Sequence, residues 1–140
     1  MSAVIGLLLA LATTTPAAVV ERVPVFLQFN AQDAVGATYV YKLRAALETS
    51  TIYRPVTKAA DARFVIGIVT MDPNEAELGS GAGNSTVAAV TLQIENTKGL
   101  NHFIYSWVLV ANRDKVDSLA TDLFAAIDRE IQELSAQVAR

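Results

Sequence analysis

The chain reads as an α/β protein of the α+β kind, a two-layer sandwich in the order β-α-β-β-β-α, with a mixed four-stranded sheet and two helices on one face. Three observations predict this. Apolar residues recur at helical spacing in two segments, residues 33–50 and 114–138. Four other segments are rich in β-branched and aromatic residues over strand lengths. Their order then sets the topology: a right-handed crossover makes the first two strands parallel, the last three strands form an antiparallel meander, and two apolar helical stripes need one sheet face to lie on.

The first strand is expected over Val23 to Phe29, "VPVFLQF", with Pro24 near its start, where a missing N–H does least harm. Asn30 then reads as the cap of a helix whose third position is the acidic Asp33, close to a capping box and favourable to the helix dipole. From Asp33 to Ser50 the residues Val35, Tyr39, Val40, Leu43, Ala46 and Leu47 share one stripe, while Lys42, Arg44 and Glu48 fall outside it. Pro55 forbids a continued helix and biases Arg54 toward extended geometry, so "TSTIYRPVTKAAD" reads as a connection. The second strand, "ARFVIGIVTMD", is apolar on both alternating faces, as suits a central position.

"PNEAELGSGAGN" has three glycines and a proline without periodicity and reads as a surface loop. In "STVAAVTLQIEN", Thr86, Ala88, Val90, Leu92 and Ile94 alternate with Val87, Ala89, Thr91, Gln93 and Glu95, so one face is buried and the other turns polar. "TKGLN" reads as a hairpin connection into the fourth strand, "HFIYSWVLV", His102 to Val110. Asp114 is expected to cap the second helix, where Val116, Leu119, Ala120, Leu123, Ala126, Ile127, Ile131, Leu134 and Val138 form the strongest periodic stripe in the chain.

At 140 residues, 52% hydrophobic and 18% charged, the chain suits one domain with a proper core. A net charge of −3 with scattered Lys and Arg gives no electrostatic reason to approach nucleic acid. The chain has no cysteine, which removes disulfides, thiol nucleophiles and Cys-based metal sites together. Residues 1–18 read as a secretory signal peptide: no charged side chain, an apolar run from Ala3 to Ala12 too short for the roughly 20 residues that span a bilayer, and small residues at a cut after Ala17 or Ala18. Residues 19–140 are then a single α/β domain without a stable membrane span, periplasmic or secreted, with an uncleaved N-terminal anchor as the alternative.

No motif supplies catalytic chemistry, and neither a cofactor nor a metal is expected. His102 is the only histidine and reads as a hairpin-end residue. "GSGAG", Gly79 to Gly83, precedes a strand, whereas a phosphate-binding loop must precede a helix N-terminus. Ser80 lies in G-S-G, not in the G-x-S-x-G of a nucleophile elbow. Asp72, Asn74, Glu75 and Glu77 begin like a calcium loop, but Ala76, Glu77 and Gly83 occupy its fifth, sixth and twelfth positions. "NST" at Asn84 is a glycosylation sequon, meaningful only in a eukaryotic secretory pathway.

The fourth strand raises the functional question. It places Phe103, Tyr105 and Trp107 on one side of an extended chain and Ile104, Val108 and Val110 on the other. If Tyr105 and Trp107 join Thr91 and Gln93 on the outer face, the sheet shows a partner-binding surface of rings with polar tips. If they point inward, the strand is packed on the helices.

The runs "LETSTIYRPV" (Leu47 to Val56) and "ADARFVIGIV" (Ala60 to Val69) resemble bacterial envelope domains of the TolB N-terminal and CsgG-like kind. There a helix ends in a short polar turn with an aromatic and a basic residue, and Ala-Asp leads into a strand bearing a glycine. No β-propeller follows as in TolB, and no lipid-bearing cysteine exists as in CsgG. The resemblance implies a periplasmic, non-enzymatic assembly or docking domain and carries over no functional residue. The function expected is therefore a secreted module that docks another envelope protein, or itself as a homo-oligomer, through a sheet face or edge. The alternative is a small-ligand binder or hydrolase with a pocket between helices and sheet, built on His102, Asp72 and the glycine loop.

Overall fold

A computed structural model describes residues 21–75, 82–95 and 101–138. The stretch read as a signal peptide, most of the glycine loop and nearly all of the expected hairpin connection lie outside the described residues. The elements are β1 (Val23–Ala31), α1 (Ala34–Thr49), β2 (Tyr53–Val56), β3 (Phe64–Met71), β4 (Ser85–Glu95), β5 (Asn101–Asn112) and α2 (Val116–Val138). Single 3-10 turns lie at Ala59–Asp61 and Arg113–Lys115.

The sheet has five strands, not four, in the order β2-β1-β3-β4-β5. β1 is parallel to both β2 and β3, as the crossover argument requires, and β3, β4 and β5 form the expected antiparallel meander. The extra strand is the four-residue segment around Pro55, which sequence reasoning assigned to a connection. The Val23 amide donates to the Ile52 carbonyl at 2.8 Å, so the odd residues of β1 turn their backbone toward β2. By alternation Arg54 and Val56 face β1, and Pro55 faces away from it, on the free edge where no ladder N–H is needed.

Both helix starts differ from the sequence reading. Asn30 and Ala31 stay in β1, paired with Val69 and Thr70, so Asn30 caps nothing. Asp33 is the cap: its backbone is extended and its carboxylate accepts from the Gly36 amide at 2.6 Å. Asp114 sits inside the 3-10 turn that leads into α2 and does not cap it.

Both helices cover one sheet face. Val35, Tyr39, Val40, Leu43 and Leu47 of α1 and Val116, Ala120, Leu123, Ile127 and Ile131 of α2 share one core with Val25, Phe64, Ile66, Ile68, Ala88, Val90 and Leu92. Each large apolar side chain fully buried there contributes about 1.5–3 kcal/mol before conformational entropy is set against it. Tyr53 fastens the short edge strand to the helical layer: its hydroxyl donates to the Asp128 carboxylate at 2.5 Å and its ring meets Phe124 edge-on at 5.9 Å. Burial, then the bond to Asp128 and its charge, push the Tyr53 phenol well above its ordinary range. Tyr39 is raised by burial and by the charge of Asp122.

Candidate functional site

With both helices on one face, no helix covers the other face of the sheet among the described residues, although Val65 on it is buried by its neighbours. Residues paired across strands share a face, so register assigns each side chain. Thr86, Ala88, Val90 and Leu92 of β4 are buried under the helices. Their alternates form the outer face. One row across it is Met71, Val87 and Val110; the next is Asn30, Val69, Ala89 and Val108. Then come Gln28, Gly67, Thr91 and Ser106, and finally Phe26, Val65, Gln93 and Phe103.

Three properties distinguish this face. First, five of the nine large hydrophobic side chains exposed among the described residues stand on it: Val108 at 75%, Phe103 at 64%, Val110 at 62%, Met71 at 50% and Val69 at 47%. Second, none of its four rows contains a charged residue. Third, large and small residues alternate, with Ala89 between Val69 and Val108, and Gly67 and Ser106 beside Thr91. Such relief gives a facing surface both knobs and hollows to fit.

The structure divides the residues that the sequence nominated for partner contact. Thr91 and Gln93 are on the outer face, half-buried, and linked by a hydrogen bond from the Gln93 amide to the Thr91 hydroxyl at 3.4 Å. Tyr105 and Trp107 are on the helix face, opposite buried Leu92 and Val90. They project at the margin that the helices leave uncovered, with Tyr105 45% exposed and the two rings 4.8 Å apart. Phe103 does not share their side, contrary to strict alternation. The register shifts between Leu92 and Gln93, where Ile104 is an extra residue: Leu92 faces Tyr105 but Gln93 faces Phe103. A β-bulge thus moves Phe103 onto the outer face with Val108 and Val110.

The residues of the alternative reading are not brought together. Asp72 follows the β3 end that pairs with Val87, while His102 pairs with Ile94 at the other end of the sheet. The Asp72 carboxylate is occupied in turn geometry, accepting from the Asn74 amide at 2.8 Å and the Gly83 amide at 2.5 Å. No cluster of three metal-ligating side chains occurs among the described residues. One groove of about 480 Å³ runs along the β1 edge beyond the end of β2, lined by Phe26, Leu27, Phe29, Arg44, Leu47 and Val56. It includes none of the nominated residues. No helix among the described residues is long and apolar enough to cross a membrane.

No family model and no curated protein matches this chain. Solved structures similar to it include a PelC dodecamer from Paraburkholderia phytofirmans, with TM-score 0.46 and 16% identity over 79% of this chain and 86% of that one. A hypothetical protein from Chlamydia trachomatis has TM-score 0.40 and 14% identity, over 84% of this chain and 96% of that one. The rare lipoprotein B from Shewanella oneidensis has TM-score 0.36 and 12% identity, over 81% and 96%. Likeness at this level assigns no function to the chain.

Proposed function

We propose that this protein is a non-enzymatic docking module of the bacterial envelope, and that it binds another protein through the outer face of its sheet. The observation that supports this reading is the set of four uncharged, largely apolar rows across β3, β4 and β5, which no helix covers, while the opposite face packs against both helices. A contiguous exposed apolar patch is costly in water and marks an interaction surface. The aromatic margin of Tyr105 and Trp107, reached around the β5 edge, adds area of the kind that interfaces favour. The secretory character of the first 18 residues supports the envelope setting.

The test is a photo-crosslinking residue placed in the intact protein, in its own cells, at Val69 or Val108, and as a control at exposed Ala125 on α2. The expected result is a discrete protein adduct from Val69 and Val108 and none from Ala125. Adducts from all three positions alike, or from none, would overturn the docking role of this face.

A further inference from the structure

Resting on the docking reading, we infer that the occupant of the outer face is a second copy of the same chain, packed face to face to give a four-layer α-β-β-α dimer.

The area fits. Four strands at about 4.8 Å spacing, over about seven residues at about 3.3 Å rise, give a plane of about 440 Å². Side-chain relief brings its accessible area toward the ~800 Å² that one partner of a standard interface buries.

Charge admits this occupant. A partner recognised by electrostatic complementarity would meet basic or acidic groups among the exposed apolar side chains, and the four rows hold none; Arg54, paired with Pro24 on the same face, stands beyond them at the β2 corner. Four uncharged rows bring no like charges together where two copies meet over them, even though each copy carries a net charge of −3.

Shape points the same way. In the row Val69, Ala89, Val108, the small residue lies between two branched ones. A two-fold axis near this row lets Val108 of each copy enter the hollow over Ala89 of the other, the reciprocal contact an isologous interface requires. Two twisted sheets pack in this way about 10 Å apart, with strands crossing near −30°. The contact uses faces and leaves both β5 edges open.

Sedimentation velocity on the secreted protein over a wide concentration range tests this, with Val108→Lys, Val69→Lys and, as control, Ala125→Lys. The expected result is a species of twice the mass of the secreted chain that persists in Ala125→Lys. Either face substitution should weaken association about 100-fold or more, because it buries a charge with no partner. Far-ultraviolet circular dichroism must match the wild type, as must the melting temperature at a dilution where the wild type is itself monomeric, because Val108 is 75% and Val69 47% exposed in the monomer. A monomer at every concentration overturns the second-copy inference. So does a dimer indifferent to both lysines, which would use an edge or a helix instead. The docking reading is judged separately: a Val108 crosslink to a different protein preserves it while the dimer fails, and no adduct at all removes both.

Discussion

Gly36→Ala should destabilise the protein although it replaces glycine by the best helix former inside a helix. A Cβ built at Gly36 would lie 1.9 Å from the Thr70 Oγ1, 2.5 Å from the Thr70 Cβ and 2.7 Å from the Asp33 Oδ2. Thr70 is fully buried in central β3 and cannot swing away. Asp33 is held from both sides, accepting from the Gly36 amide at 2.6 Å and from the Thr86 hydroxyl at 2.7 Å. The α1 N-terminus must therefore retreat from the sheet. Overpacking of this kind costs about 1–3 kcal/mol and a disturbed cap about 1 kcal/mol, against a propensity gain of up to about 1 kcal/mol. The net is a loss of about 1–3 kcal/mol, read as a lower midpoint with unchanged slope in urea unfolding. Gly67→Ala is the control. Its Cβ meets only the Thr91 Oγ1, at 2.7 Å, the tip of a side chain on the open face that rotates aside, so its cost should stay within about 0.5 kcal/mol. Equal effects at the two glycines, or a stabilised Gly36→Ala, would refute the close-approach argument.

Stability should also fall in alkali. Tyr39 and Tyr53 are fully buried and their phenols are raised, so the stability they hold is complete below their unfolded value near 10 and is lost as pH rises through their folded values. The melting temperature should decline above about pH 10, and Tyr53→Phe should blunt that decline while lowering stability at neutral pH, because Asp128 loses its short bond and keeps only the 3.5 Å bond from the Gln132 amide. Trp107 gives an independent check on faces. As the only tryptophan, half-buried against Tyr105 on the helix side, its emission should stay constant as the outer faces associate and should shift in Tyr105→Ala. A large shift on association would place the contact at the aromatic margin. Asp33→Ala should cost about 1–2 kcal/mol in the same urea titrations, since it removes the α1 cap and leaves the buried Thr86 hydroxyl without its short bond.

The residues that made the fold legible were those whose burial follows one simple period. Leu123, Ile127 and Ile131 lie on a single stripe of α2 and are all buried, so helix, face and sheet side followed from spacing alone. β2 escaped because it is four residues long and carries Pro55, and the tie that makes it a strand, Tyr53 to Asp128, spans 75 residues. The helix caps misled because Asn30 and Asp33 are both good capping residues, and pairing of Asn30 with Val69 decided between them. Local chemistry could not see that long-range competition.

The candidate site was harder to read for a more particular reason. In β4 one alternating set ends in Thr91, Gln93 and Glu95, so polarity marks its outer side. In β5 both sets are apolar and polarity marks neither. Face assignment in β5 therefore passes through its pairing with β4, and that pairing contains one extra residue, Ile104. Without the bulge, Phe103 would join Tyr105 and Trp107 on one side, and attention would settle on the aromatic run. With it, the Tyr105–Trp107 pair moves to the helix margin, and Phe103, Val108 and Val110 extend an apolar surface that begins at Val69 and Met71. An aromatic surface with polar tips suits varied, partly wet contacts, whereas an apolar one without polar tips suits a dry, interdigitated contact. One inserted residue thus changes the surface that the sheet presents.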